Sequence, residues 1–332
     1  MKNDCKKRCR AVLGLAGVLF AGMSLYAQTC LTASDMEPAT QTSLLNAAQA
    51  DFDLISRGDS AALQQNAIPG LANNFSAIQT AVKDNQGVLA GAKPVPRSPF
   101  LLQAEGDALL AHAEFLCGVF GRNGQTASSA VFEIPNVPPG SYGFVTQDVS
   151  TSGGPYTVSY VLEQQSGTWK LGGLYVKPAE VAGHDGNWFA DHARDFKTKG
   201  DNHTAWLYYQ EARELLVPVP FMSTLATDKL YDEAQAIKPS DLPPSELVAG
   251  SKSYKLTALF PLAVEKQLGL VVKYQVPDVS NTTATYQENM AVMKALLVKY
   301  PALRTAFDVL VARAVEPSGR DYGSMLPMKD IK

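Results

Sequence analysis

Residues 152–175 read SGGPYTVSYVLEQQSGTWKLGGLY. Ser152-Gly153-Gly154-Pro155 has the composition of a tight turn. After it, Tyr156, Val158, Tyr160 and Leu162 alternate with Thr157, Ser159 and Glu163. One face is then apolar and the other polar, the period of a strand with one buried face. Gln165-Ser166-Gly167 turns the chain back, Trp169, Leu171, Gly173 and Tyr175 form the next alternating series, and Pro178 ends it. Just upstream, Phe132 and Ile134 lead to a turn at Pro138-Pro139-Gly140, and Tyr142, Phe144 and Val145 open a further strand. Turns at such short intervals predict an antiparallel meander over residues 130–178.

On the N-terminal side the period becomes helical. Leu44, Leu45, Ala48, Phe52 and Ile55 recur three and four residues apart, which predicts a helix within 35–65. Gly58 suits a helix end, and Asp59 or Ser60 a new cap. A second helix is expected at about 71–89. Pro94, Pro96 and Pro99 then forbid a helix interior, and a third helix is expected from Leu101 to Phe120. Helices first and strands second predict an α+β unit over residues 28–180, the helices lying on one face of a curved antiparallel sheet.

Residues 181–240 form a second unit, a helical hairpin at 184–218 with a connecting helix at 224–237. Small residues such as Ala193, Ala205 and Ala212 let two helices approach, and Gly200-Asp201 makes the turn. Lys238-Pro239 to Pro243-Pro244 is an extended linker. Residues 250–332 read strand, strand, helix, strand, a small α/β region with its helix at 285–299, stopped by Pro301, and a last strand within 307–315.

The chain has 332 residues, 46% of them hydrophobic and only 18% charged, with a formal net charge of −3. The first ten residues hold five Lys and Arg against Asp4, a net of +4, which leaves −7 on the remainder. The basic start precedes an uncharged run from Ala11 to Ala27. That layout predicts a secretory signal peptide over residues 1–27, cleaved near Ala27, and a secreted or periplasmic protein with no permanent span. The alternative is an uncleaved anchor at the short limit of a membrane-spanning helix. Cleavage removes Cys5 and Cys9 and leaves Cys30 and Cys117. Two cysteines in an exported chain point to one disulfide; the other reading is a buried thiol at Cys117 and a loose Cys30.

Catalytic signatures are absent. No G-x-S-x-G elbow, phosphate loop or dinucleotide fingerprint occurs, and the acidic remainder has no basic run for nucleic acid. No catalytic residue, cofactor or metal is therefore assigned. His184 and His192, with Asp195 one turn after His192, are the nearest approach to a metal set, but they lack the H-E-x-x-H spacing. Polar residues on a helical surface are the simpler reading of them.

Asp53-Leu54-Ile55-Ser56-Arg57-Gly58-Asp59, and the closing strand Gly167-Thr168-Trp169-Lys170-Leu171-Gly172-Gly173-Leu174, make residues 36–178 resemble small exported bacterial members of the nuclear transport factor two-like superfamily. The resemblance implies a curved sheet wrapped around helices as a cone with a central pocket. Members include isomerases, cyclases and dehydratases, and many only bind. Ala193, Phe196, Gly200, Ala205, Tyr209 and Ala212 likewise resemble a single tetratricopeptide hairpin.

Within a cone, Tyr142, Tyr156, Tyr160, Trp169 and Tyr175 are the candidate pocket lining, since Tyr and Trp combine an apolar body with a polar tip. Aromatics are also good strand formers, and core or surface packing is the simpler reading of them. The functional expectation is an exported binding or interaction module for a small apolar ligand or a partner protein. The alternative is an isomerase or hydrolase using a carboxylate inside the cone, with Asp148 and Glu163 as the acids on these strands.

Overall fold

The computed structural model of the chain describes residues 28–119 and 124–332. The signal peptide expected at 1–27 lies outside the described residues, as does Phe120. The fold is α+β. Strand β1 (Gln28–Leu31) precedes four helices, α1 (Pro38–Arg57), α2 (Ser60–Gln65), α3 (Pro69–Ala72) and α4 (Ser76–Leu89). Gly58 ends α1 in the left-handed region at φ 73°, and the Asp59 carboxylate caps α2 by accepting from the Ala62 N–H. Both devices fall where the sequence puts them.

Seven strands follow: β2 (Lys93–Pro96), β3 (Phe100–Ala104), β4 (Leu110–Cys117), β5 (Ala130–Val137), β6 (Gly140–Thr151), β7 (Gly154–Gln165) and β8 (Thr168–Pro178). β6, β7 and β8 form the expected antiparallel meander. The third helix does not form. Its residues 101–117 are β3 and β4, separated by a turn at Gly106 with φ 113°. Leu109, Leu110, Ala113, Leu116 and Cys117 fit helical spacing, but in the fold Ala113, Phe115 and Cys117 are buried while Leu109 and Leu116 are exposed. The period is two, and β4 is an edge strand, which tolerates apolar residues on its outer face. The expected pairing of β5 with β6 also fails. Pro138-Pro139 carries the chain from one sheet to another, and β5 pairs with β4 instead.

The remaining elements are β9 (Glu180–Val181), β10 (His184–Asp185), α5 (Gly186–Thr198), α6 (Asn202–Leu216), β11 (Met222–Thr224), α7 (Leu225–Gln235), β12 (Ser245–Ala249), β13 (Lys252–Val264), β14 (Gln267–Gln275), α8 (Thr282–Lys299), α9 (Leu303–Ala306), β15 (Val309–Val315) and β16 (Asp321–Pro327). The first sheet has the order β1-β3-β6-β7-β8, with β2 also on β6, and the second is β11-β5-β4. A third, β12-β13-β14-β15-β16, is antiparallel except for β14 and β15, which run parallel on either side of α8. Parallel neighbours need such a crossover.

Three apolar cores result. Leu44, Phe52, Ile55 and Leu63 on α1 and α2 pack against Val158, Tyr160 and Leu162 on one face of the first sheet. The opposite face meets the second sheet, where Phe132 lies edge-on to Phe100 and Phe144 at centroid distances of 5.5 and 4.9 Å. Cys30 of β1 and Cys117 of β4 are disulfide-bonded across this layer, Cα atoms 4.9 Å apart. The third core joins α5, α6 and α7 to the last sheet, with Tyr208, Tyr274 and Leu296 inside it.

Gly143 lets α1 touch the first sheet. A Cβ there would fall 2.0 Å from Leu44 Cδ2, and Leu44 is fully buried, so it must shift within a packed core. Gly143→Ala is therefore expected to lower the urea-unfolding free energy by about 1–3 kcal/mol, the usual cost of overpacking.

Candidate functional site

The five aromatic residues read as pocket lining divide between the two faces of the first sheet. Tyr160 is fully buried on the helix face, where its hydroxyl donates to Gln147 Oε1 at 2.9 Å, and Trp169 and Tyr156 pack on the same side. Tyr142 and Tyr175 point to the second sheet. Tyr142 pairs with Glu163 and so takes the face opposite Tyr160 by plain alternation, whereas Tyr175 is moved there by a bulge. The register of β7 and β8 shifts between Val161 and Leu162, so Gly173 faces Val161 while Leu171 faces Leu162. The alternation along β8 therefore inverts at Gly172, and Tyr175 leaves the face that Trp169 occupies.

Between the two sheets lies a cavity of about 220 Å³, walled by Leu102, Ile134, Phe144 and Phe221, with Tyr142 and Glu163 among its lining residues. Burial first, and then the Glu163 charge, push the Tyr142 hydroxyl up to about 12. That hydroxyl donates to the Pro138 carbonyl at 2.8 Å, and Glu163 accepts from Gln165 Nε2 at 3.0 Å. The phenol is thus already engaged, and Glu163 has one of its two oxygens engaged. Asp148, the other carboxylate considered, is half-exposed and paired with Arg97 at 2.6 Å, outside this cavity.

The histidine cluster also separates. His184 and His192 stack on the Trp188 indole at centroid distances of 3.6 Å each, so the indole occupies the place a shared ligand would need. Asp195 is exposed, and Asp185 caps α5 by accepting from the Trp188 N–H at 2.8 Å. Among the described residues no three His, Cys, Asp or Glu side chains gather as a metal set.

A larger cleft, of about 410 Å³, opens where the first unit meets the last sheet. Its walls come from three parts of the chain: Lys177 at the end of β8, Gln210, Glu211 and Glu214 on α6, and Phe260 to Ala263 on β13. The reason α6 supplies polar groups here is visible in its spacing. Leu207, Tyr208, Glu211, Ala212 and Leu215 form its buried stripe, so Glu211 occupies a position that otherwise takes an apolar residue.

Glu211 is only 4% exposed, and its carboxyl makes no hydrogen bond or ion pair among the described residues. Burial pushes it up to about 7, the neighbouring Glu214 carboxylate adds to the rise, and Lys177 opposes it. Lys177 is held elsewhere. Its ammonium donates to the carbonyl oxygens of Glu214 and Val217, satisfying carbonyls at the C-terminal end of α6. Burial lowers its pKa from the ordinary lysine value. Gln210 Nε2 is also buried without a hydrogen-bond partner among the described residues.

An unpaired buried carboxyl is costly, and in native folds such groups normally find partners. Here one amide donor, Gln210 Nε2, stays unsatisfied, and beside it the Glu211 carboxyl opens onto a cleft whose far wall, Phe260 to Ala263, is apolar. Chemically the pair can accept or donate a hydrogen bond to a molecule lying against Phe260 and Leu262. None of the sequence-read candidates lines this cleft. The sequence signal for Glu211 is its place in the apolar stripe of α6. No family model matches the chain, and no curated protein or solved structure matches it either.

Proposed function

We propose that this chain is a binding protein that holds a small, largely apolar molecule in the cleft between β8, α6 and β13. The observation that carries this reading is Glu211, a buried carboxyl with no partner among the described residues, on the wall of a cleft lined by Phe260, Pro261 and Leu262. Apolar clefts with a few convergent polar groups and a perturbed titration are the usual setting of ligand sites. Export to a periplasmic or extracellular space belongs to the same reading, supported by the basic and apolar start of the chain and by the Cys30–Cys117 disulfide. Membership of the cone-shaped superfamily over residues 36–178 is supported by helices α1 to α4 preceding the β6-β7-β8 meander. A tetratricopeptide-like use of 184–218 is supported by the close approach of α5 and α6 at Gly186, where a Cβ would fall 2.9 Å from the Ala212 carbonyl.

The test is calorimetric titration of the protein with six- to ten-carbon apolar probes, beside an Ala263→Trp variant. Ala263 is exposed at the cleft mouth, so the indole fills the space without entering the core. Binding by the parent and at least a tenfold loss in the variant, at unchanged melting temperature, is the expected result. Equal binding by both proteins would move the site elsewhere.

A second reading is an isomerase or hydrolase whose base is Glu163, beside Tyr142 in the cavity between the sheets. It is favoured by the juxtaposition of a carboxylate and a phenol in an apolar space, the arrangement that proton transfer requires.

A further inference from the structure

We infer that the cleft selects an organic cation, a primary or secondary ammonium on an apolar body, with the Glu211 carboxylate as its counter-ion. This rests on the binding reading above and adds the charge of the ligand to it.

The electrostatics of the cleft decide the sign. Glu211 and Glu214 both line it from α6. They stand in the last two turns of the helix, where the carbonyl end of the macrodipole favours positive charge. Among the described residues that line the cleft the one cation is Lys177, and its donors are committed to the carbonyls of Glu214 and Val217. Arg97 acts on Lys177 from beyond, and is itself paired with Asp148. The β13 wall, Phe260 to Ala263, has no titratable group. Lys273 lies 5.5 Å from the Phe260 ring centroid. That ring therefore already has a cation, and it supplies the ligand with apolar contact rather than charge recognition.

An anionic ligand would meet two carboxylates against the single charge of Lys177, whose donors are already spent on the helix carbonyls. A metal ion would find two carboxylates and no third ligand among the described residues. A neutral ligand would leave the charge preference unused. An ammonium satisfies the geometry: its N–H groups donate to the Glu211 oxygens, and its hydrocarbon part covers Phe260 and Leu262.

The proton balance follows. Alone, the buried carboxyl holds a proton up to about pH 7. An ammonium ligand needs the carboxylate, so below that pH each binding event releases one proton to the buffer. Affinity then falls about tenfold for each pH step of one below 7 and is level above it, until the amine itself loses its proton near its own pKa of about 10.

The experiment is calorimetric titration of the full chain with n-hexylamine, 1-hexanol and hexanoate at pH 5.5, 6.5, 7.5 and 8.5, repeated with Glu211→Gln and Ala263→Trp. The expected result is hexylamine binding at pH 7.5 at least tenfold tighter than either isostere. Its affinity should weaken below pH 7 with proton release, and both variants should lose at least tenfold. Glu211→Gln should also abolish the pH dependence. Ala263→Trp serves as the second variant, because it leaves the carboxyl in place and blocks the cleft sterically. Hexanol or hexanoate binding as tightly as the amine, and blocked by Ala263→Trp, overturns the cation while leaving the cleft as a site. Amine binding that ignores both variants overturns it too. Failure of all three probes to bind overturns the cation and the binding reading together.

Discussion

Replacing both disulfide cysteines, as Cys30→Ala with Cys117→Ala, is expected to lower the unfolding free energy by about 4 kcal/mol. The bond closes a loop of 87 residues. In the chain-entropy account, opening a loop of that length restores about 4–5 kcal/mol of freedom to the unfolded state. Alanine is the right substitute, because Cys117 is fully buried among Phe115, Phe132 and Phe144, and a serine there would add an unpaired hydroxyl. The folded state supplies a second reason for a large effect. β1 is an edge strand of four residues, held by β3 and by one hydrogen bond from the Glu114 N–H to Gln28 Oε1 at 2.7 Å. Without the bond, β1 is the segment expected to open first. Equilibrium unfolding in urea with and without reductant checks the magnitude, and amide exchange at Gln28 to Leu31 checks the location. A change below about 1 kcal/mol would show that the loop is no freer in the unfolded chain once the bond is gone.

The meander was legible because it has a local signature, and the cysteine pairing because only two cysteines follow residue 27. The turn at 152–155 and the alternation of Tyr156 to Leu162 need only neighbours in the sequence, and β6, β7 and β8 formed accordingly. Gly58 and Asp59 likewise announced a helix end and a cap, and both act as read. β4 was hidden because Leu109, Leu110, Ala113, Leu116 and Cys117 satisfy helical spacing, while Ala113, Phe115 and Cys117 satisfy strand spacing over the same stretch. Only the second sheet, assembled from β4, β5 and the distant β11, decides between them. The parity of β8 was hidden for a different reason. A bulge opposite Val161 inverts the alternation, and no single residue announces it.

The candidate site was less legible than the fold, since its walls are brought together from β8, α6 and β13, far apart in the chain. The signal that existed was a charged residue in an apolar stripe. Asp51 carries the same signal on α1. Leu44, Ala48, Phe52 and Ile55 define the helix, and Asp51 lies among them, fully buried. Its Oδ1 accepts from Asn66 Nδ2 at 2.7 Å, while Oδ2 has no partner among the described residues. Reading such residues as interruptions of the stripe conceals them; reading them as members of it marks the places where burial and charge conflict.

That conflict has a measurable consequence for stability against pH. Burial pushes Asp51 from 3.8 up to about 6, opposed by the Asn66 hydrogen bond and by Lys170, and it pushes Glu211 from 4.5 up to about 7. Between the unfolded and folded values, the folded protein holds protons that the unfolded chain has released. Raising the pH therefore favours unfolding. The contribution of each group is fully present below its unfolded value and is lost as the pH rises through its folded one. The loss is at most about 3 kcal/mol for each carboxyl, from the cost of moving its titration that far. Asp241 acts in the opposite sense. Its partial burial raises it, but hydrogen bonds from Tyr300, His203 and Lys299 outweigh this and hold it below the ordinary range. Its stability is present above the unfolded value and lost in acid. Maximum stability is thus expected near pH 4 to 5, with a decline of several kcal/mol by pH 8. Asp51→Asn should flatten the limb between pH 4 and 6, gaining about 2 kcal/mol at pH 8 and losing about 1 kcal/mol near pH 4, since an unpaired amide N–H offsets part of the benefit at every pH. Glu211→Gln should flatten the limb between about pH 4.5 and 7 by a similar amount. The two groups lie in separate cores, so their effects should add. Urea-unfolding curves at half-unit pH steps for the parent, both single variants and the double variant test this. A parent more stable at pH 8 than at pH 5 would contradict it. If Glu211→Gln gains stability while losing the hexylamine response, the carboxyl is a stability cost retained for binding rather than for the fold.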